Sequence, residues 1–227
     1  MQRHAYAPEF RIFFVYLTDR QIRTMKKRIL KHLGDISKIH HRAAFSDVKE
    51  HLDKHHGSNV FLELAERRYS CREFNNRPVS AVKVNKILNA ARLAPTACNK
   101  QPVHVWAVTS DEALNRLRNI HDLFNAPIAF MVGCRKDEAW VRSYDGKNGA
   151  ETDAAIVGTH LMLAAADLDL GCTWVGSFDP AKIAETFPET AGYEITAIFP
   201  VGHPAAHAVP SERHSERKSL EEFVTEL

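Results

Sequence analysis

The chain has 227 residues, 44% hydrophobic and 26% charged, a composition that is ordinary for a soluble globular protein. No apolar run approaches the roughly 20 residues that cross a bilayer, and the apolar start is too short for a secretory signal, so a cytoplasmic protein without a membrane partner is expected. The net charge of +2 conceals an asymmetry, because residues 1–59 balance at +6 and the remaining residues at −4.

This asymmetry predicts two regions, a basic N-terminal extension over 1–59 and a globular domain over 60–227. Within the extension, Asp19–Leu33 and Ser46–His55 have weak helical patterns. The basic first helix could bind a partner or nucleic acid, but a solvated charged face is the commoner case, and no nucleic-acid partner is expected.

Two histidines of the extension have a spacing that could hold a metal ion. His51 and His55 are four residues apart, which would place both on one face of a helix. Because no second acidic or histidine pair follows at a fitting distance, solvated surface histidines are the favoured interpretation and no metal site is predicted.

From residue 60 onward, helical and strand patterns alternate with short connections. Helices are predicted at Val60–Arg67, Ser80–Leu93, Asp111–Ile120, Asp153–Leu168 and Pro180–Phe187. Strands are predicted at Val103–Thr109, Ile128–Cys134, Cys172–Val175 and Glu194–Val201. Helices alternating with a few strands indicate an α+β or α/β layered fold built around one sheet.

Local signals support several of these elements. Ser80 and Ser110 are natural N-caps, and the continuous apolar run Ile128–Cys134 is typical of a strand buried on both faces. The helix at Asp153–Leu168 is apolar nearly all round, so it is either a central core helix or the seam of a dimer. Gly171 is expected to act as its C-cap.

The four cysteines are widely spaced and include no Cys-x-x-Cys pair. This pattern favours reduced thiols over a disulfide framework or a zinc site.

A first polar cluster packs arginines around a serine. Arg68 and Arg72, with Ser70 between them, could grip a phosphate dianion, because guanidinium groups match phosphate geometry and a hydroxyl adds a donor. The alternative is a helix C-terminus whose arginines offset the helix dipole.

A second cluster is the loop Ala94–Pro102, in which two prolines restrict the path of the chain. Thr96, Asn99 and Gln101 supply hydroxyl and amide groups that could bind the edge of a flat heterocycle, although an ordinary tight connection has the same composition. Cys98 is not expected to be a nucleophile, because the pattern contains no dedicated histidine base. A third, basic cluster at 213–220 could close over a phosphate or be a solvated tail.

Together these motifs, in their order and spacing, resemble the nitroreductase family of flavoproteins from about Val60 to the C-terminus. The motifs are Arg-Arg-Tyr-Ser-Cys-Arg-Glu-Phe at 67–74, Ala-Pro-Thr-Ala-Cys-Asn-Lys-Gln-Pro at 94–102, Gly-Cys-Thr-Trp-Val-Gly-Ser-Phe-Asp-Pro at 171–180, Pro-Val-Gly-His-Pro at 200–204 and Glu-Arg-Lys-Ser-Leu-Glu-Glu at 216–222. The resemblance implies an α+β three-layer fold with a central, mostly antiparallel sheet flanked by helices. Residues 1–59 match nothing in the family and are expected to be disordered or not part of the native start.

The resemblance also implies an FMN site at the interface of a homodimer. The phosphate and ribityl chain would contact Arg68, Tyr69, Ser70, Arg72, Arg217 and Lys218. The loop from the other subunit would supply Pro95, Thr96, Ala97, Cys98, Asn99 and Gln101. The backbone at Gly176 and Ser177 would face flavin N5, and Asn125 would touch the pyrimidine edge.

The implied activity is electron transfer from NADH or NADPH through FMN to small acceptors such as nitroaromatics or quinones, with ping-pong kinetics. The flavin carries the chemistry, so no side chain is assigned as catalytic. Trp140 and Tyr144 either stack on an aromatic acceptor or are surface packing. The alternatives are a specialised flavoprotein of the same fold, such as an enoyl reductase or a reductive dehalogenase, or a non-catalytic flavin-binding regulatory protein.

Overall fold

The structure, a computed structural model, describes residues 60–227. Its helices are α1 (Val60–Arg67), α2 (Ala81–Arg92), α3 (Asp111–Arg118), α4 (Ala150–Asp167), α5 (Pro180–Thr186) and α6 (Leu220–Phe223). Its strands are β1 (Val103–Val108), β2 (Ile128–Cys134), β3 (Gly171–Cys172) and β4 (Glu194–Gly202).

The helices begin where the sequence carries capping side chains. The Ser80 hydroxyl accepts a hydrogen bond from the backbone of Lys83 at the start of α2, and the Ser110 hydroxyl accepts one from Ala113 at the start of α3. Each hydroxyl satisfies a backbone N–H that has no partner inside its helix. Both predicted caps are therefore confirmed.

The four strands form one antiparallel sheet in the order β1-β2-β4-β3. Every residue of β2 is buried, which confirms the prediction of a strand covered on both faces. Since β2 and β4 lie in the middle of the sheet, the residues before β2 and after β4 meet at one end of it.

Helices cover both faces of this sheet. Residues of α2 and α4 pack on one face, around Phe130 and Phe199, which are fully buried. Residues of α3 and α5 pack on the other face, around Met131 and Ile198. Burial of each such side chain stabilises the fold by about 1.5–3 kcal/mol. These three layers confirm the predicted α+β fold.

A close approach brings α4 against the sheet. A Cβ added at Gly158 would stand 2.6 Å from Cζ of Phe199, so only glycine allows this spacing. Along α4 the residues at four-residue steps, Asp153, Val157 and Leu161, are buried, whereas Ile156 is only half-buried. Within one chain, therefore, α4 is fully covered on one side and only partly covered on the other.

Three details of the predicted elements were wrong. Helix α4 begins at Ala150, three residues earlier than predicted. Its C-cap is Leu168, and the chain reverses at Asp169 with a φ of 56°, so Gly171 does not cap the helix but opens β3. Strand β3 is also shorter than predicted, because Val175 joins the sheet only through an isolated bridge to Ile198.

The predictions for residues 1–59, including the domain boundary and both N-terminal helices, lie outside the described residues. Across residues 60–227, no helix is long and apolar enough to cross a membrane. In the same part of the chain, no three His, Cys, Asp or Glu side chains are grouped so that they could hold a metal ion.

Candidate functional site

The first polar cluster lies along the outer edge of the sheet. Ser70 forms a parallel bridge with Cys172 of β3, and the Cys71 backbone N–H donates to the Cys172 carbonyl at 3.1 Å. Further along, the Asn75 N–H donates to the carbonyl of His203, just beyond β4, at 2.9 Å. The segment 70–75 is therefore held by backbone hydrogen bonds, and the side chains of Ser70 and Arg72 within it are exposed.

The three arginines at positions 67, 68 and 72 have different contacts. Arg67 binds Asp169 at 2.7 Å and the Ala166 carbonyl at 3.3 Å, so it caps the C-terminus of α4. Arg68 is half-buried, and its guanidinium contacts the Met162 sulfur at 3.9 Å. Arg72 is exposed, and among the described residues its guanidinium donates to the Ser70 carbonyl alone, at 3.4 Å. Helix capping thus accounts for Arg67, while Arg68 and Arg72 keep donors available for an anion.

A cavity of about 200 Å³ lies beside Arg68. Its lining residues include Arg68, Tyr69, Met162, Gly171, Cys172 and Pro204. Burial, with a contribution from the Cys71 thiol, raises the pKa of Tyr69 to about 12, so its phenol stays protonated and can donate. Burial also raises the pKa of Cys172, although Arg68 opposes the shift, so this thiol is not a ready nucleophile.

The basic C-terminal cluster packs against the same segment. The Nε2–H of His214 donates to the Glu66 carbonyl at 3.0 Å, and its ring meets the Tyr69 ring edge-on at 6.4 Å. Arg217 and Lys218 follow and are exposed. The structure therefore brings the third cluster to the first, although the two are almost 150 residues apart in sequence.

Gly176 and Ser177 lie further along the same sheet edge. They follow Val175, whose N–H donates to the Ile198 carbonyl at 2.9 Å. Both are exposed, and neither backbone N–H has an acceptor among the described residues. Gly176 is four residues beyond Cys172, about 13 Å along an extended chain. A molecule reaching from the arginines to these amides would lie along β3.

The loop Ala94–Pro102 has a compact left-handed shape. Cys98, Asn99 and Gln101 have φ values of 51°, 52° and 52°, which are uncommon for residues other than glycine. The Thr96 hydroxyl accepts a hydrogen bond from the Gln101 N–H at 3.0 Å. Pro95, Cys98, Asn99 and Gln101 are exposed, and Thr96 and Ala97 are half-buried.

Within one chain the structure does not bring this loop to the arginines. The Ala97 N–H donates to Asp153 in the first turn of α4, whereas Arg68 contacts Met162, nine residues further along that helix. At about 1.5 Å per residue, Asp153 and Met162 are about 14 Å apart along the helix axis.

Asn125 lies away from Gly176 and Ser177 among the predicted flavin residues. Asn125 comes three residues before Ile128, which pairs with Val201 at one end of the sheet. Gly176 comes directly after Val175, which is bridged to Ile198 nearer the middle of β4. Asn125 lines a cavity of about 520 Å³ that contains no other predicted site residue and includes Asn76, Val84, Asn85, Asp111, Arg118 and Pro127.

The two predicted acceptor residues have different environments. Trp140 is half-buried and lines a cavity of about 200 Å³ with Ala97 of the loop. Tyr144 is 94% exposed in a turn where the Arg142 guanidinium binds Asp145 at 2.7 Å. Trp140 is therefore close to the loop, while the ring of Tyr144 is free to contact another molecule.

Two residues of this region were not predicted from the sequence as site residues. His214 has no sequence signal beyond its place in a basic segment. Asp153 has one, because it stands at four-residue steps with Val157 and Leu161, on the face of α4 that is buried. An acidic residue in that row indicates a buried carboxylate with a specific partner.

Comparison with known proteins identifies similar chains. The model of the nitroreductase family matches residues 65–122 and 121–203. A protein of Methanothermobacter thermautotrophicus with the provisional name NADH dehydrogenase/NAD(P)H nitroreductase is 27% identical over 166 residues, which cover 70% of this chain and 84% of that protein.

Solved structures have the same fold. A nitroreductase family protein of Clostridium difficile is 37% identical, with a TM-score of 0.68 over 73% of this chain and 96% of that protein. A provisionally named nitroreductase of Desulfovibrio desulfuricans, solved in complex with FMN, is 24% identical, with a TM-score of 0.61 over 75% of this chain and 98% of that protein. At that identity the second likeness concerns the fold alone.

Proposed function

This chain belongs to the nitroreductase family, and on that basis we propose that it is an FMN-dependent oxidoreductase that takes electrons from NADH or NADPH. Small organic acceptors such as nitroaromatics or quinones would receive them. The observation that carries the proposal is the arrangement along the edge of β3. Arg68 and Arg72 have available donors at one end, and at the other end the N–H groups of Gly176 and Ser177 have no acceptor among the described residues.

The arginine end fits the phosphate of FMN. Arg68 and Arg72 have guanidinium donors that no described acidic side chain binds, and Ser70 adds an exposed hydroxyl between them. Arg217 and Lys218 follow the His214 contact and would add positive charge from the C-terminal side. A phosphate dianion is bound strongly by such a set, because charge-assisted hydrogen bonds are about twice as strong as neutral ones.

The amide end fits the flavin ring. The backbone N–H groups of Gly176 and Ser177 would donate to the N5 side of the ring. When bound, FMN supplies the two-electron chemistry, accepting electrons from the nicotinamide and passing them to the acceptor. The protein then needs no nucleophile, which agrees with the raised pKa of the buried Cys172 thiol.

We propose that a second copy of the chain completes the site. The loop with Pro95, Thr96, Ala97, Cys98, Asn99 and Gln101 would cover the flavin of its partner, since in its own chain it is joined to Asp153, about 14 Å along α4 from the Met162 that Arg68 contacts. The half-buried side of α4 supports this, because an apolar helix face open to solvent favours association. Trp140, which lines a cavity with Ala97, would then be near the acceptor.

An absorbance spectrum of the purified protein between about 300 and 550 nm, followed by anaerobic addition of NADH or NADPH, tests the proposal. We expect two flavin bands that bleach with one of the nucleotides. Initial rates with a quinone should then give the parallel reciprocal plots of a ping-pong mechanism. A colourless protein that FMN does not reconstitute would overturn the assignment, and flavin that no nucleotide reduces would favour a non-catalytic flavin-binding role.

A further inference from the structure

Asp153 is the one charged residue among residues 60–227 whose side chain is buried in the core. It is 2% exposed and lies on the buried face of α4 with Val157 and Leu161. A carboxylate in such a place is costly unless hydrogen bonds compensate for its lost hydration. Its partners therefore indicate why the chain keeps an acid there.

The carboxylate of Asp153 has one partner, and that partner belongs to the loop. Oδ1 accepts the backbone N–H of Ala97 at 2.9 Å, while Oδ2 has no partner among the described residues. Asp153 also stands in the first turn of α4, where the positive end of the helix dipole stabilises a negative charge. An ionised acceptor makes a stronger hydrogen bond to an amide than a neutral one.

The loop depends on this hydrogen bond for its position. Its internal hydrogen bonds maintain only the shape of the turn; they run from Asn99 N–H to the Thr96 carbonyl, from Lys100 N–H to the Ala97 carbonyl, from Gln101 N–H to the Thr96 hydroxyl and from the Gln101 side-chain amide to the Asn99 carbonyl. Between Pro95 and Gln101, the bond from Ala97 to Asp153 is the one hydrogen bond to another element of the described chain. Cys98, Asn99 and Gln101 all have left-handed backbone conformations, which cost free energy and persist only where surrounding contacts stabilise them.

We propose that Asp153 is a positioning residue that orients the loop Pro95–Gln101 toward the flavin of the second subunit. The inference rests on the proposed function, because FMN is the ligand that the loop would contact. Asp153 itself touches neither FMN nor acceptor; it acts through the Ala97 amide.

The test compares Asp153→Ala, which removes the acceptor, with Asp153→Asn, which keeps one carbonyl oxygen for the Ala97 N–H. FMN affinity is measured by fluorescence quenching, and amide hydrogen exchange of the segment 95–101 is measured in the protein without FMN. We expect Asp153→Ala to weaken FMN binding about 10- to 100-fold and to speed exchange in the loop, the size expected for losing one charge-assisted hydrogen bond. Asp153→Asn should restore both to within about threefold.

Thr190→Val is the matched control, because Thr190 is also buried and loses one hydrogen bond, from its hydroxyl to the Phe187 carbonyl in the turn after α5, which makes no hydrogen bond to the loop among the described residues. It should lower stability and leave both FMN affinity and loop exchange unchanged. If Asp153→Ala does not fold, Asp153→Leu replaces it, since an apolar side chain suits the buried site and still removes the acceptor.

Normal FMN affinity and normal loop exchange in the variant without an acceptor would overturn the inference. The inference would also be overturned if Thr190→Val speeds hydrogen exchange in the loop as much as Asp153→Ala does. If the unaltered protein does not bind FMN, the proposed function fails, and hydrogen exchange in the loop still decides whether Asp153 holds it.

Discussion

Gly171 lies directly against Cys71: a Cβ on residue 171 would stand 2.6 Å from the Cys71 sulfur and 2.7 Å from its Cβ. This contact joins β3 to the segment that carries Arg68 and Arg72, and both partners are fully buried. Since Cβ of Cys71 is bonded directly to the backbone and its side chain is fully buried, a methyl group at 171 must push the two backbones apart.

Gly171→Ala should therefore destabilise the protein by about 1–3 kcal/mol, the usual cost of overpacking. Urea unfolding of the FMN-free protein measures the change. Gly176→Ala is the stability control, because a Cβ at 176 would meet nothing nearer than Trp174 Nε1 at 3.7 Å. Equal loss of stability in both variants would contradict the role of the close contact.

Arg67 and Arg68 should differ sharply when each is replaced by glutamine. Arg67→Gln removes an exposed ion pair with Asp169, which contributes only about 0–1 kcal/mol to stability, and should leave FMN affinity unchanged. Arg68→Gln should weaken FMN binding about 10- to 100-fold, the effect of one charged hydrogen bond. Riboflavin, which lacks the phosphate, should bind both variants alike in fluorescence titrations. A matching loss of riboflavin affinity in Arg68→Gln would show that the residue does not act on the phosphate.

A heterodimer tests whether the loop serves the flavin of the partner. One chain carries Arg68→Ala with Arg72→Ala, and the other carries Asn99→Ala with Gln101→Ala. In a two-fold dimer each site combines arginines from one chain with a loop from the other, so the heterodimer keeps one intact site and one doubly altered site. We expect FMN bound to about half of its chains and to few chains of either homodimer.

Differently tagged chains, co-purified and analysed for FMN content, provide the measurement. A heterodimer that binds no more FMN than the homodimers would mean that loop and arginines act within one chain. A monomer in light scattering would exclude the shared site altogether.

His203 should make stability depend on pH in a defined range. Burial, then the positive charges of Arg77 and Lys83, lowers its pKa below the usual 6.5. The unfolded chain therefore takes up a proton on this imidazole at a higher pH than the folded chain does, and stability falls as the pH drops from about 6.5 toward the folded pKa. Above about pH 7.5 both states are neutral and the contribution vanishes.

Melting temperatures of the unaltered protein and of His203→Gln between about pH 7.5 and 5 check this, since only the difference between the two curves reports His203. The unaltered protein should lose more stability over that range. Parallel curves would mean that the imidazole is not shielded in the folded state.

Several parts of the fold were predictable because their causes are local. The N-caps at Ser80 and Ser110 each need only a hydroxyl and an amide three residues later, and β2 needs only an unbroken apolar run. The sequence motifs also indicated the family, since five segments in order carry more information than any one of them.

The errors have a common physical reason. The end of α4 depends on Arg67 and on Lys83, whose ammonium donates to the Leu168 carbonyl at 2.7 Å, and both are far away in sequence. Gly171 follows a helix, so its position in the sequence is typical of a C-cap. Glycine is needed there because a side chain would collide with Cys71, and this contact exists only once the strands have paired.

By itself, then, the sequence determined the order of elements, the caps, the buried strand and the residue types that suit a phosphate and a flat ring, because these depend on neighbours within a few positions. Only the tertiary structure decided which arginine caps a helix and which remains available, that His214 docks on Glu66, and that Asp153 holds Ala97. Those contacts join residues 56 to 148 positions apart. No local pattern specifies them, because each forms only once the sheet and α4 have brought distant segments together.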